Sequence, residues 1–207
     1  TTVARLVARI YRELGILSEG QLIETDRSRL VAGYVGQTAI NVREVVEQAI
    51  GGVLFIDEAY ALVSPDTMND YGSEAVDTLV KMMEDHRDDL VVIVAGYREE
   101  MEQFLRSNTG LISRFNKFIT FEDYSEQQLL EILTVMAEQA GMVVEDTAVK
   151  KLGLYLASMN EQERRDFGNA RGVRNVFERM IVNQANRIVL LEEPTKEQLI
   201  TLTAQDV

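Results

Sequence analysis

Apolar residues along this chain recur either in short continuous runs or at helical spacing, and each kind of run predicts an element. Val53 to Ile56 are four apolar residues in a row that lead directly into Asp57 and Glu58. That pattern predicts a buried parallel strand ending in a polar site. Leu90 to Ala95 is a second continuous strand, Leu22 to Thr25 a shorter one, and Lys117 to Phe121 a further one. Between them the spacing turns helical. Val3, Leu6, Val7, Ile10, Tyr11 and Leu14 form the stripe of a helix packed on one face and stopped by Gly15. Asp26 can cap a small helix reaching Leu30. A helix from Thr38 to Ile50 carries Val42, Val45, Val46 and Ala49 and ends at Gly51-Gly52, one from Tyr71 to Arg87 carries Val76, Leu79, Val80 and Met83, and another runs from Arg98 to Arg106 and is followed by a loop with Asn108 and Gly110. Strands alternating with helices imply an α/β fold, a parallel sheet sandwiched by helices.

After Glu122 the alternation stops. Ser125 caps a helix with Leu129, Ile132, Leu133, Met136 and Ala140; others follow over Thr147–Met159 and Ala170–Ile188. Helices without intervening strands predict a small all-α subdomain, dividing the chain into residues 1–121 and 122–207. Glu192 to Val207 is expected to form a short helix and a closing strand. Two loops stand out: Gly33-Tyr34-Val35-Gly36, an aromatic-aliphatic pair between glycines, and the polar stretch from Ser64 to Asp70.

Composition narrows the function. With a formal net charge of −13, the 207-residue chain would repel polyanions, so nucleic acid is not an expected partner. Cysteine is absent, which removes disulfides and cysteine metal sites. No apolar segment approaches the roughly 18–20 residues that span a bilayer, and a membrane partner is not expected. A cytoplasmic protein is the resulting expectation.

The chemistry sits where the central strand stops. Strand ends of a parallel sheet open on its crevice, and an acidic pair there suits Mg2+ and a water molecule. Asp57 would hold the metal and Glu58 would orient or deprotonate the attacking water, a Walker B arrangement. The alternative is a strand that merely enters an acidic turn.

Taken together, the stretches Tyr34-Val-Gly36, Gly51-Gly-Val-Leu-Phe-Ile-Asp-Glu-Ala-Tyr60, Leu90-Val-Val-Ile-Val-Ala-Gly-Tyr97, Gly110-Leu-Ile-Ser-Arg-Phe115 and Gly168-Asn-Ala-Arg-Gly-Val-Arg-Asn175 resemble the AAA+ ATPases. Within them the chain looks most like the CbbX/SpoVK group of red-type rubisco activase and stage V sporulation protein K. The resemblance implies an AAA+ P-loop NTPase core followed by a helical lid, with ATP and Mg2+ as cofactors and a homo-oligomeric ring, expected to be a hexamer, that remodels a protein client. It assigns Arg114 as the arginine offered to a neighbouring subunit's nucleotide, and Arg171 as the lid arginine that reaches the phosphates, with Arg174 as the alternative. Tyr34 and Val35 match a pore loop that grips a threaded polypeptide.

Two departures bear on activity. Gly-x4-Gly-Lys-Ser/Thr matches nowhere, yet Thr1-Thr-Val-Ala-Arg-Leu6 resembles the residues that succeed that lysine in the family. Thr1 would then be the magnesium-ligating hydroxyl and Thr2 its nucleotide-binding neighbour. On this reading the first strand and phosphate loop precede Thr1, and the 207 residues as written are expected to bind ATP poorly. Tyr97 stands where many members carry a water-positioning asparagine. The leading expectation is an ATPase motor; the alternatives are a non-catalytic interaction module and, within the enzyme reading, a rubisco activase. His86, the single histidine, lies on a charged helix end and reads as a solvated residue.

Overall fold

A computed structural model of the chain describes residues 1–34, 36–63 and 71–207. The chain divides into two compact units, Thr1–Phe118 and Ile119–Val207. Val35 and the polar loop of residues 64–70 lie outside the described residues.

The first unit is built on a three-stranded parallel sheet. Strands β1 (Leu22–Thr25), β2 (Val53–Ile56) and β3 (Val91–Val94) lie in the order β1-β2-β3, with Val53 opposite both Leu22 and Val91. All four residues of β2 are buried, because strands flank both its edges and helices cover both its faces. Side chains alternate along the strand. Leu54 and Ile56 join the main core with Val42, Val46, Val76 and Leu79 of α3 (Gln37–Ala49) and α4 (Gly72–Asp85). Val53 points the other way, into a smaller cluster with Leu17 and with Ala8 of α1 (Thr2–Glu13). Helix α2 (Arg27–Leu30) is capped as its sequence suggests, Asp26 Oδ1 accepting from the Ser28 amide at 2.9 Å. Gly51, at φ +85°, turns the chain from α3 into β2. Gly52 passes so near β1 that a Cβ there would lie 2.3 Å from the Gln21 carbonyl oxygen.

Three expectations need correction. The face α1 packs inward is the one carrying Ala4 and Ala8, while Val3, Leu6, Ile10 and Leu14 are exposed. Periodicity located a stripe, but the close approach of α1 to the sheet selects its small residues. Lys117–Phe121 forms no strand, and Phe118, Ile119 and Phe121 are exposed. A strand needs a ladder partner for its amides, and none pairs with this segment among the described residues. The stretch around Asn108 and Gly110 is not a loop: after α5 (Arg98–Arg106), Asn108 caps a short helix, α6 (Thr109–Arg114), accepting from the Gly110 amide at 2.8 Å.

The second unit is helical with one small sheet. Its core joins Leu129, Leu133 and Ala137 of α7 (Glu126–Gln139), Leu152 and Leu156 of α8 (Asp146–Ser158), and Val173, Phe177 and Met180 of α10 (Ala170–Val189). Ser125 and Gln128 form the capping box at the start of α7. Sequence periodicity missed α9 (Glu161–Phe167) and the two-residue strand β4 (Val143–Val144), both too short for a period to register. The C-terminal segment forms α11 (Lys196–Ile200) and β5 (Thr201–Leu202), which pairs parallel with β4.

Candidate functional site

Asp57 and Glu58 stand side by side and exposed where β2 ends, although all four strand residues before them are buried. The backbone around them is fixed by both neighbouring strands. The Asp57 amide donates to the Thr25 carbonyl at 3.0 Å, the Ala95 amide to the Ile56 carbonyl at 2.9 Å, and the Ala59 amide to the Ala95 carbonyl at 3.0 Å. Between these ties Glu58 adopts φ +47°, the left-handed region, where a side chain costs about 1 kcal/mol or more. Its amide donates to Asp57 Oδ1 at 3.1 Å. Strain of this kind persists only where surrounding contacts over-determine it.

Two tyrosines and a glycine pack around the turn that follows. After Glu58 the chain enters a tight 3-10 turn, Ala59–Val63, which places Tyr60 against the end of β3. A Cβ on Gly96 would lie 2.7 Å from Tyr60 Cδ1 and 2.9 Å from Met101 Sδ. The Tyr60 and Tyr97 rings lie 6.3 Å apart, inclined at 36°. Burial and then the nearby Glu58 carboxylate push the Tyr60 phenol above its ordinary value of 10.0. The Tyr97 ring is 66% exposed.

The donor chemistry fits Mg2+. Among the described residues no group of three or more His, Cys, Asp or Glu converges. An ion at Asp57 would therefore complete its shell largely with phosphate and water oxygens, the donor set that Mg2+ favours. Thr1 precedes α1 as its cap residue, and its side chain makes no capping hydrogen bond.

Arg114 is bonded neither to Asp57 nor to Glu58. At the C-terminal end of α6 its Nη2 donates to Glu84 Oε2 at 3.2 Å and its Nη1 to the Gly110 carbonyl at 3.3 Å, while Nε is buried without a partner among the described residues. The side chain is 26% exposed. Glu84, on α4, also holds Arg87 at 2.9 Å through its other oxygen. Tyr34 is 80% exposed, on the bend before Gly36, whose φ of +78° opens α3.

In the second unit, Gly168 ends α9 at φ +75° and Asn169 follows at φ +60°. Asn169 Nδ2 donates to Asp123 Oδ1 at 2.6 Å, and its Oδ1 accepts from the Tyr124 amide at 3.3 Å. Arg171 and Arg174 are exposed on the first turns of α10 and make no salt bridge among the described residues. Gly172 is buried with no room for a side chain: a Cβ would lie 2.2 Å from the Phe167 carbonyl oxygen.

Sequence reasoning missed Tyr60, Gly96 and Glu84 as parts of these arrangements. The first two lie within the motif stretches at the ends of β2 and β3, but nothing local reveals that residues 60 and 96 touch. Glu84 is one acid among several on a charged helix end.

A parallel α/β sheet whose buried central strand ends in adjacent acids, with a separate helical unit after it, is the AAA+ P-loop NTPase fold with a lid. The chain belongs to the ATPase family associated with various cellular activities (AAA), whose sequence pattern matches residues 1–123, and the AAA lid domain matches residues 125–207. It is 44% identical over its whole length to the protein CfxQ homolog of Galdieria sulphuraria, covering 68% of that protein. It is 43% identical to the chloroplastic ribulose bisphosphate carboxylase/oxygenase activase of Cyanidioschyzon merolae, covering 71%, and 43% identical to stage V sporulation protein K of Bacillus subtilis, covering 64%; each alignment takes in the whole chain. Two solved structures share the fold at low identity. The RuvB Holliday junction branch migration motor of Thermotoga maritima matches with a TM-score of 0.58 at 18% identity, over 93% of this chain and 54% of that one. The FIGL-1 AAA domain matches with a TM-score of 0.59 at 16% identity, over 88% and 58%. The chain thus spans little more than half the length of these solved chains. No helix among the described residues is long and apolar enough to cross a membrane.

Proposed function

We propose that the protein containing this chain hydrolyses ATP and uses the cycle to remodel a protein partner. The observation that carries this reading is the pair Asp57 and Glu58, exposed together at the end of an otherwise buried central strand. Asp57 and the Thr1 hydroxyl would hold Mg2+, and Thr2 and Arg171 would contact the nucleotide. Bound there, the ion would neutralise charge on the phosphate oxygens. Glu58 orients the attacking water and accepts its proton.

Arg114 is the second catalytic group, given to the nucleotide of an adjoining copy in a ring, expected to be a hexamer. Its partial exposure and its one carboxylate partner among the described residues support this role, since a guanidinium held by a half-exposed acid can be drawn away at modest expense. Tyr34, with Val35, contacts the client. An aromatic side chain 80% exposed between glycines offers contact area that tolerates many sequences. Similarity to the Cyanidioschyzon merolae activase makes rubisco the first client to test, and a cytoplasmic location accords with the absence of cysteine. The 207 residues contain no Gly-x4-Gly-Lys-Ser/Thr match. By themselves they are proposed to bind ATP weakly, because that loop's amides and lysine hold the β- and γ-phosphates.

Glu58→Gln in the full natural chain tests the assignment. The variant is expected to bind nucleotide as the wild type does and to lose turnover. Turnover at the wild-type rate would refute Glu58 as the base. A wild-type protein that binds its partner without any turnover would favour a non-catalytic module.

A further inference from the structure

The geometry points to Tyr60 as a positioning residue for Glu58, acting through its ring to hold the carboxylate in the left-handed backbone conformation that faces it out of the strand end. This rests on the ATPase reading above and adds to it a residue that touches neither nucleotide nor metal.

Among the described residues Glu58, at φ +47°, and Asn169, at φ +60°, are the non-glycine residues with positive φ, and Glu58 is the one at the strand end. Its N-terminal side is secured by the bond from the Asp57 amide to Thr25, and its C-terminal side by the bond from the Ala59 amide to Ala95. One residue further on, the Tyr60 ring closes over Gly96 with no space for even a Cβ between them, and meets the Tyr97 ring. The 3-10 turn that starts at Ala59 is therefore wedged against the end of β3. If the ring is removed, the turn can rotate and Glu58 can relax towards right-handed φ, since the conformation it leaves is strained. Gly96 is the other half of the contact: any side chain there displaces the ring. The Tyr60 hydroxyl makes no hydrogen bond with the described residues, so the plane of the ring carries the effect.

Four variants of the full natural chain test this, with turnover, KM, nucleotide affinity and melting temperature measured for each. Tyr60→Ala and Gly96→Ala are expected to lower kcat by about 10- to 100-fold, the scale on which a misplacement of roughly 1 Å acts, with KM and nucleotide affinity within about twofold of wild type. Tyr60→Phe restores wild-type kcat because it keeps the ring. The double variant Tyr60→Ala/Gly96→Ala is no slower than the worse single one, since both act through one contact. Should Tyr60→Ala fail to fold, Tyr60→Leu, which keeps apolar bulk without the plane, takes its place with the same expected loss. Unchanged kcat in folded Tyr60→Ala or Tyr60→Leu and in Gly96→Ala overturns the inference, as does a Tyr60→Phe variant as slow as Tyr60→Ala. Glu58→Gln separates the two levels. If it abolishes turnover while the ring variants are as fast as wild type, only the role of Tyr60 fails; if it turns over normally, the ATPase assignment of Glu58 fails.

Discussion

Arg114 Nη2 reaches Glu84 Oε2 across 3.2 Å, so the arginine proposed to serve a neighbouring subunit is held in its own chain by an acid thirty positions earlier. The same carboxylate holds Arg87 with its other oxygen. A half-exposed acid shared between two arginines stabilises the fold little, typically below about 1 kcal/mol per pair. What it does is hold the guanidinium against α4 of its own chain.

Arg114→Ala is therefore expected to melt within a few degrees of wild type and to keep most of its nucleotide affinity. Turnover should fall by about 10³-fold or more, the range lost when a trans-acting arginine is removed. Steady-state turnover at protein concentrations that sustain the ring, alongside binding of a fluorescent nucleotide, checks both halves. A variant with wild-type turnover would place Arg114 in a purely structural role.

The C-terminal segment is fastened by Asp206, 1% exposed, which accepts from Arg187 Nε at 3.0 Å and Nη2 at 2.9 Å and from the Thr203 amide at 2.7 Å. Burial by itself would raise the Asp206 carboxyl, but the bonds from Arg187 and Thr203 outweigh it and hold the group below its ordinary 3.8. A lowered folded value means stability that is present above pH 3.8 and lost as pH falls below it towards the folded value. The hydrogen bond to Asp206 raises Arg187 above its ordinary value, so that partner stays charged throughout. Asp206→Asn leaves a partly buried guanidinium uncompensated and should cost about 3 kcal/mol near neutral pH. In denaturant melts, the gap between variant and wild type should close below pH 3.8; a constant gap at all pH values would contradict the linkage.

Gly172→Ala sets helix propensity against packing. Alanine favours the helix by about 1 kcal/mol. Its Cβ, however, would meet the Phe167 carbonyl oxygen at 2.2 Å, a backbone atom unable to swing aside. Overpacking of this sort costs about 1–3 kcal/mol, so a net loss of stability is expected, read as a lower urea midpoint at unchanged slope. A raised midpoint would mean that the junction of α9 and α10 yields more readily than its backbone contact suggests.

Tyr34→Ala should leave the melting temperature unmoved, because the side chain is 80% exposed and meets no other ring among the described residues. If it grips a client, turnover stimulated by an unfolded polypeptide is lost in Tyr34→Ala and kept in Tyr34→Phe. Equal stimulation in both would remove the loop from client contact.

The sequence by itself determined what depends on neighbours along the chain. Val53 to Ile56 running into Asp57 and Glu58 marked the central strand and its acidic end, Asp26 and Ser125 marked helix starts, and the loss of alternation after Glu122 marked a helical region, because strand burial and capping are set within a few residues. Only the tertiary structure decided what depends on distant groups. The stripe on α1 did not reveal that Ala4 and Ala8, rather than Leu6 and Ile10, face the sheet, since the spacing between helix and sheet makes that choice. Lys117–Phe121 reads as a strand yet forms none, because a ladder belongs to two segments and neither can be read from one. The contact of Tyr60 with Gly96 and the bond of Glu84 to Arg114 join residues some thirty positions apart, and folding alone brings such pairs within reach.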